Sequence, residues 1–464
     1  MITSVESKPN GIHFFKILII AICSALSGLL FGYDAGIISG ALLFIKKAFT
    51  MSSGEEGWLV AMVPVGALIS SAFSGKISDI FGRKKTLFFT AVFFILGAIV
   101  SSVSQNVLTL IIGRLIIGIA IGIGSCVSPV YTSELSPENE RGWLVNLFVT
   151  SIQIGVFLSF VIGYAFSHAG NWRWMIALGI IPAIILGIAV FFIPESPRWL
   201  IAKNRIDEAF KILQRIYGTE KAQFEVNDIK DVVAREKVNL RVLIEEPRFF
   251  KVIFIGAAVS FFTQTVGINA FNYYAPTIFQ QTGFATPTQA TYYTMYMGLM
   301  LVLSTISSLF FIDRVGRKTP LLIGTAGILV TLLVITLGFA LVKNPISLGI
   351  LFLVCAIVFM AFHGISIGPA CFLIPSEVYP TRVRGLGMGI AVAFNWGANV
   401  IVAALVPVII TKYGVSSLFA GFFVITVVAW LVFYYYIPET RGTTLEQIER
   451  NVLANVKARD LGQK

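Results

Sequence analysis

Residues Asp79-Ile80-Phe81-Gly82-Arg83-Lys84 and Asp313-Arg314-Val315-Gly316-Arg317-Lys318 carry the same Asp-x-x-Gly-Arg-Lys pattern. Two further pairs of motifs repeat at nearly the same separation along the chain. Glu134 and Arg141 correspond to Glu377 and Arg384 later in the chain. Pro194-Glu195 corresponds in the same way to Pro438-Glu439. Three motifs in one order at one separation indicate a duplicated unit.

The composition indicates that each unit lies in a membrane. The chain is 56% hydrophobic and 13% charged, whereas a soluble globular domain carries about 25% charged residues. A soluble core could not accommodate this much apolar surface, so the bilayer is expected to be the solvent. A tandem duplication of an apolar unit is typical of secondary transporters.

Twelve apolar runs are each close to the roughly 20 residues needed to cross the hydrocarbon. The backbone of each must form a helix, because lipid offers no hydrogen-bond partners. The sequence therefore predicts an all-α membrane protein with twelve spans, at 14–45, 57–77, 86–103, 107–132, 143–167, 173–193, 250–281, 290–312, 320–342, 346–379, 386–411 and 416–437.

Lys and Arg are concentrated in the loops that follow even-numbered spans, which places both termini in the cytoplasm. Residues 194–249 are charged and favour helix, so they are interpreted as a cytoplasmic linker of short amphipathic helices; a flexible tether is the alternative. Four segments result: 1–193, the linker 194–249, 250–437 and a tail 438–464. The basic residues are scattered over short loops, which does not favour nucleic-acid binding despite the net charge of +11.

Two ionisable residues stand inside apolar spans, where such residues are costly and usually functional. Asp34 lies in span 1 and Arg114 in span 4. A carboxylate beside a guanidinium stays ionised, and a proton that neutralises it dissolves the ion pair. The pair is therefore a candidate for coupling proton binding to helix packing. A purely structural ion pair, or an Asp34 hydrated near the outer surface, remains an alternative.

The repeated charged motifs predict a network that latches one conformation at the cytoplasmic face. Gly82 and Gly316 permit tight turns, and acidic residues accompany the basic ones in both halves. Determination of topology by positive charge alone is the alternative. The residues expected to form the latch are Asp79, Arg83, Glu134, Arg141, Glu195, Arg198, Asp313, Arg317, Glu377, Arg384 and Glu439.

Neutral amides beside aromatic rings mark the expected substrate path. Gly267 and Pro276 predict a discontinuous helix in span 7, and the glycines and prolines of span 10 repeat the theme. Such a lining suits an uncharged, polyhydroxylated ligand, although interhelical hydrogen bonding could also explain each amide. The residues in question are Gln153, Gln264, Asn269, Asn272, Tyr273, Asn395, Trp396 and Asn399.

The sequence contains no motif typical of catalysis or of cofactor or metal binding. No phosphate-binding loop, metal cluster or nucleophile arrangement is present, so neither an enzyme nor a bound cofactor or metal is expected. The four cysteines fall in apolar spans and are expected to be buried thiols. His363, in span 10, is expected to be packed or hydrogen-bonded.

The motifs together resemble those of the sugar porter family of the major facilitator superfamily, essentially from end to end. The matching stretches are Gly32-Tyr33-Asp34, Asp79-x-x-Gly82-Arg83-Lys84, Arg114, Pro194-Glu195-Ser196-Pro197-Arg198-Trp199-Leu200, Val266-Gly267-Ile268-Asn269, Asp313-x-x-Gly316-Arg317-Lys318 and Pro438-Glu439-Thr440-Arg441-Gly442. The resemblance implies two pseudo-symmetric six-helix bundles that work by alternating access. It also implies that Asp34 and Arg114 form the proton-coupling pair.

Several expected sugar contacts depart from the family pattern. The first of two adjacent glutamines in span 7 is Thr263, and the span 5 glutamine falls on Val149, with Gln153 one turn later. A common span 10 tryptophan is Phe372, and Asn395 replaces a glutamine found in some symporters. Phe372 therefore joins the candidate binding residues.

The sequence as a whole predicts a proton-coupled symporter of a monosaccharide, a hexose or a pentose. The chain is expected to be monomeric, in a bacterial inner membrane, with sugar, proton and lipid as its partners. A sugar or polyol uniporter with a structural Asp34–Arg114 pair is the closest alternative. A membrane sugar sensor is the alternative from another class, although such sensors usually need a long signalling tail.

Overall fold

Residues 11–137, 140–235, 246–380, 383–443 and 445–462 are described by a computed structural model, and within these ranges the chain is helical without a β-strand. Eleven helical stretches there are long and apolar enough to cross a membrane. The last, Arg384–Tyr436, has 53 residues, about 80 Å at 1.5 Å per residue. Gly414, at φ 81°, divides it into two spans, so the predicted number of twelve is confirmed.

The first six spans comprise seven helices, because the sixth span is interrupted after Ala177. Their bounds are α1 Gly11–Ala48, α2 Ser53–Phe81, α3 Arg83–Ser102, α4 Val107–Leu135, α5 Arg141–Ser167, α6 Trp172–Ala177 and α7 Ile180–Phe192. Side-chain caps begin three of them: Ser52 accepts from the Glu55 amide, Asn106 from the Thr109 amide at 2.8 Å, and Asn171 from the Trp174 amide at 3.4 Å.

Three short helices follow the first half: α8 Pro197–Ala202, α9 Ile206–Tyr217 and α10 Thr219–Arg235. Leu200, Leu213 and Val226 form a small apolar core between them, while the opposite faces carry charge. They pack beneath the ends of α1 and α4, on the side where α2 turns into α3. This side of the molecule is called the linker end below.

The second half repeats the pattern with broken helices. Its bounds are α11 Phe249–Thr265, α12 Ile268–Gln281, α13 Pro287–Val315, α14 Lys318–Leu341, α15 Pro345–Ile365, α16 Ile367–Val378, α17 Arg384–Tyr436 and α18 Leu445–Leu453, followed by a 3₁₀ turn Ala458–Asp460. Arg248 donates to the Leu453 carbonyl at 2.6 Å, which holds α18 against the linker end.

Spans 7 and 10 are discontinuous, as the glycine and proline pattern predicts. Gly267 takes φ 110°, a left-handed conformation that favours glycine, and separates α11 from α12. Ser366 leaves helical geometry between α15 and α16. Pro276 and Pro375, in contrast, lie inside continuous helices. The two breaks stand at the level of the central cavity described below.

Close packing of α1 on α5 fixes the position of span 1. Gly28, Gly32 and Gly36 recur every fourth residue and present one glycine face to α5. A Cβ atom on Gly32 would overlap the Ile152 carbonyl, so only glycine permits this approach. Asp34 lies outside this stripe and is directed toward α4.

The two halves meet at the end opposite the linker end. Near the start of α2, Gly57 packs so closely on α17 that an added Cβ would collide with the Ala404 carbonyl. Gly298 of α13 lies against α5, where a Cβ would stand 2.7 Å from the Phe160 ring. The cleft between the halves is therefore closed at this end in the conformation observed.

Candidate functional site

A buried ion pair joins span 1 to span 4. Arg114 Nη1 donates to Asp34 Oδ1 at 2.6 Å, and the two side chains are 1% and 3% exposed. Asp34 Oδ2 and Arg114 Nε have no hydrogen-bond partner within the described part of the chain. The single contact is consequently the main compensation for two desolvated charges, and losing either charge would change the packing of α1 on α4.

The ion pair adjoins the central cavity. Ala35, next in sequence to Asp34, lines that cavity, and Tyr273 lies within electrostatic reach of both charges. Tyr273 itself lines the cavity and donates to Asn399 Oδ1 at 3.1 Å. Asp34 is thus adjacent in sequence to a residue of the cavity wall, so a change of its charge takes place beside the cavity.

The cavity lies between the two halves and has a volume of about 110 Å³. Residues from α1, α4 and α5 line one side, and residues from α11, α12, α15, α16 and α17 line the other. All nine of the binding candidates selected from the sequence are in this lining: Gln153, Gln264, Asn269, Asn272, Tyr273, Phe372, Asn395, Trp396 and Asn399.

Amides of the second half bond to one another along the wall. Gln264 Nε2 donates to Asn395 Oδ1 at 3.1 Å, and Asn269 Nδ2 donates to Gln264 Oε1 at 2.7 Å. Asn395 Nδ2 in turn donates to the Ser260 carbonyl at 3.2 Å. The interhelical bonding considered as an alternative is therefore present, and it holds the amides at fixed positions facing the cavity.

Two amides retain unused hydrogen-bonding capacity. Asn272 Oδ1 is buried without a partner among the described residues. Gln153, from α5, faces the cavity from the first half. A ligand between them would contact both halves at once, which an alternating-access mechanism requires.

Aromatic rings complete the lining. Phe31 and Trp396 meet across the halves with ring centroids 5.1 Å apart and an interplanar angle of 47°. Phe372 lines the cavity from α16. Such rings offer apolar faces beside neutral amides, a combination that suits a polyhydroxylated ligand with apolar ring faces.

Phe31 and His363 are among the cavity residues that were not selected from the sequence. Phe31 precedes the Gly32-Tyr33-Asp34 motif, and three-residue spacing from Asp34 is the signal that could have identified it. His363 was expected to be packed or hydrogen-bonded. It packs on Phe359 and lines the cavity, but neither ring nitrogen has a hydrogen-bond partner in the described ranges.

At the linker end of the first half, Arg83 is the centre of a charged network. Its guanidinium donates to both oxygens of Glu134, at 3.0 and 2.9 Å, and to Asp79 at 3.1 Å. Its backbone amide donates to Glu195 at 2.9 Å. Gly82 takes φ 89°, and a Cβ there would meet the Glu195 carboxylate, so this turn needs glycine.

The second half repeats the network around Arg317. The guanidinium binds Glu377 at 2.8 Å, and the backbone amide donates to Glu439 at 2.9 Å. Gly316, at φ 98°, packs against the Glu439 carboxylate in the same way that Gly82 packs against the Glu195 carboxylate. The partners named above for each arginine belong to its own half or to the segment that directly follows it, so in this conformation each network ties the helices of one bundle together.

The structure shows partners for several of the other latch candidates. Arg83 binds Glu134, and Arg317 binds Glu377. Arg384 donates to the Tyr379 carbonyl at 3.3 Å. Arg198 also has an interaction partner in the structure. The side chains of Arg141 and Asp313 lie outside the described residues.

Residues 20–452 match the family model described as "Sugar (and other) transporter". The chain belongs to this sugar transporter family. The sugar transporter is 35% identical to the arabinose-proton symporter of Bacillus subtilis, over 97% of this chain and 98% of that one. It is 34% identical to the galactose-proton symporter of Escherichia coli, over 98% of each.

Solved structures support the same fold. The sugar transporter matches the partially occluded inward-open xylose transporter XylE of Escherichia coli with a TM-score of 0.80 and 28% identity, covering 91% of this chain and all of that one. It matches the proton:xylose symporter XylE bound to 6-bromo-6-deoxy-D-glucose with a TM-score of 0.80 and 30% identity, covering 94% and 99%. The chain therefore has the twelve-helix fold of the major facilitator superfamily, and it is a multi-pass membrane protein.

Of the two network glutamates Glu134 and Glu377, the more buried Glu134 is expected to contribute more to the stability of the protein. Glu134→Gln removes a bidentate charged contact from a side chain that is 4% exposed, and we expect a loss of about 1 to 3 kcal/mol. Glu377→Gln should cost less, because the Glu377 side chain is 24% exposed. Thermal unfolding of the detergent-solubilised protein, followed by circular dichroism, measures both.

The matched control is Asp79→Asn in the same network. The Asp79 side chain is 73% exposed, and exposed ion pairs contribute little, so its unfolding temperature should stay close to that of the unmodified protein. Equal losses for Asp79→Asn and Glu134→Gln would show that burial does not set the strength of this network.

Proposed function

We propose that this chain is a proton-coupled symporter that takes up a monosaccharide by alternating access. The observation that carries the proposal is the buried Asp34–Arg114 pair at 2.6 Å, one residue from a cavity lined by neutral amides and aromatic rings. The amides supply hydrogen bonds to hydroxyl groups. The pair supplies a group that can exchange a proton as the cavity changes sides.

Protonation of Asp34 is proposed to be the coupling step. The neutral carboxyl loses the attraction of Arg114, and α1 is released from α4. The bundles, residues 1–193 and 250–437, then rock about the sugar, with residues 194–249 as the linker and 438–464 as the tail. The charged networks around Arg83 and Arg317 are proposed to act as the conformational latch, exchanging partners between states.

The membrane potential provides part of the driving force. Moving one charge through 100 mV is worth about 2.3 kcal/mol, enough for a roughly 50-fold accumulation of sugar. A neutral sugar alone gains nothing from this potential. Coupling to the proton is therefore what makes accumulation against a gradient possible.

The linker end is proposed to face the cytoplasm of a bacterial inner membrane, with both termini on that side. The basic loops at this end support the orientation. The halves are packed together at the other end, through Gly57 and Ala404, so the conformation described is one closed toward the outside of the cell. The cavity is built within one chain, which supports a monomer as the functional unit.

A competition panel at two pH values tests the substrate and the coupling together. Uptake of labelled D-galactose into proteoliposomes is measured with unlabelled D-glucose, D-xylose, L-arabinose and myo-inositol as competitors. We expect competition by a monosaccharide and faster uptake when the outside pH is 6 than when it is 8. Competition by inositol alone would favour a polyol carrier, pH-independent uptake a uniporter, and binding without any uptake a sensor.

A further inference from the structure

His363 is a buried imidazole whose hydrogen-bonding groups are unused. The residue is 4% exposed and lies in the last turn of α15, just before the break at Ser366. Neither Nδ1 nor Nε2 has a hydrogen-bond partner among the described residues. An imidazole always carries at least one N–H donor, and buried donors in folded proteins are nearly always paired.

The ring is held in place by packing alone. Phe359, one turn earlier, stacks on it with an interplanar angle of 15° and centroids 6.1 Å apart. The backbone of Thr263 in α11 approaches the ring, but without the geometry of a hydrogen bond. The position of the imidazole is therefore defined, while its polar atoms remain available.

The ring belongs to the wall of the central cavity, which His363 and Gly368 both line. A Cβ on Gly368 would stand 3.3 Å from both Cε1 and Nδ1 of the ring, so glycine at 368 keeps a side chain from crowding this part of the imidazole. Asn272, which also has an unpartnered oxygen, lines the same cavity from α12.

We propose that His363 is a specificity-determining residue that forms a hydrogen bond with one hydroxyl group of the bound sugar. This inference rests on the proposed function, because it needs a hydroxylated occupant of the cavity. The neutral imidazole offers one donor and one acceptor, which matches a hydroxyl group in either role. A site built to bond a hydroxyl discriminates strongly against an analogue that lacks it.

The test compares deoxy sugars on His363→Phe, which keeps an aromatic ring against Phe359 and removes both nitrogens. Equilibrium binding is measured for the tightest binder among D-glucose, D-galactose, D-xylose and L-arabinose, and for its monodeoxy and monofluoro analogues. We expect His363→Phe to weaken the parent sugar about tenfold. We expect no further loss for one monodeoxy analogue, the one that lacks the contacted hydroxyl. The fluoro analogue at that position shows whether the hydroxyl donates or accepts.

Two further variants keep the test decisive. Thr305→Val removes another buried polar atom without a partner, outside the cavity lining, and should leave every affinity unchanged. His363→Gln keeps a donor and an acceptor and should restore part of the loss; it also replaces His363→Phe if that variant does not fold. In that case the His363→Gln variant should differ from the unmodified protein only in how strongly its affinity depends on that same single hydroxyl group of the sugar.

Identical discrimination across all analogues in the unmodified protein and in the His363 variants would overturn the inference. So would an equal loss for every analogue, since that outcome indicates a structural role. Failure of the unmodified protein to bind any of the four sugars would instead count against the proposed function itself.

Discussion

Asp34→Asn is expected to abolish uphill accumulation of sugar in energised proteoliposomes, while downhill exchange of labelled sugar continues. Asparagine has nearly the same shape as aspartate but cannot take up a proton, so sugar movement loses its link to the proton gradient. At 100 mV the accumulation ratio should fall from as much as about 50 to about 1. Steady-state accumulation and counterflow exchange measure the two activities separately.

Glu56→Gln is the matched control for this variant. Glu56 is also a buried acid, 4% exposed and paired with Lys46 at 2.7 Å, but it lies at the end opposite the linker end and outside the cavity lining. Its replacement should leave the accumulation ratio unchanged even if transport slows. A normal ratio in Asp34→Asn, or an equal loss in Glu56→Gln, would remove the coupling role of Asp34.

Arg114→Leu alone is expected to destabilise the protein severely. The substitution leaves the Asp34 carboxylate, 3% exposed, without its cation, and breaking a buried pair in this way costs about 3 to 5 kcal/mol. The double variant Asp34→Asn with Arg114→Leu removes both charges and should regain most of that loss. It should nevertheless be unable to accumulate sugar. Thermal unfolding and the yield of monodisperse protein provide the measurement.

The double variant separates structure from mechanism. If the pair were only structural, restoring stability would also restore accumulation, and the proton-coupling group would then have to lie elsewhere in the chain. If Arg114→Leu were as stable as the unmodified protein, the ion pair would not contribute to the packing of α1 on α4, contrary to the mechanism proposed here.

Much of the fold could be predicted from the sequence, because its determinants are local. Apolar runs of bilayer length define the spans, and Gly267 identifies the break in span 7 since a left-handed backbone favours glycine. Repeated Asp-x-x-Gly-Arg-Lys motifs indicated two related halves. The interruption of span 6 after Ala177 was not predicted, because Gly179, which lies in the break, keeps a right-handed φ of −61° and a single glycine in an apolar run does not by itself indicate an interruption.

The candidate site was predicted less completely, because partners depend on contacts between distant helices. Spacing along the chain placed Glu134 and Arg83 in one expected network, but it could not show that the two side chains contact each other directly across 51 residues of sequence. The nine binding candidates do share one cavity, since intramembrane polar residues tend to face the interior. The unused nitrogens of His363 could be recognised only once its surroundings were known.

Simultaneous measurement of proton and sugar fluxes tests the central claim most directly. Proteoliposomes containing the unmodified protein and a trapped pH indicator are given sugar without any imposed gradient, and Asp34→Asn is run in parallel. The account predicts that sugar entry acidifies the interior of the unmodified vesicles in fixed proportion to the sugar taken up, and that the variant shows no acidification. Sugar entry without proton movement in the unmodified protein would contradict it.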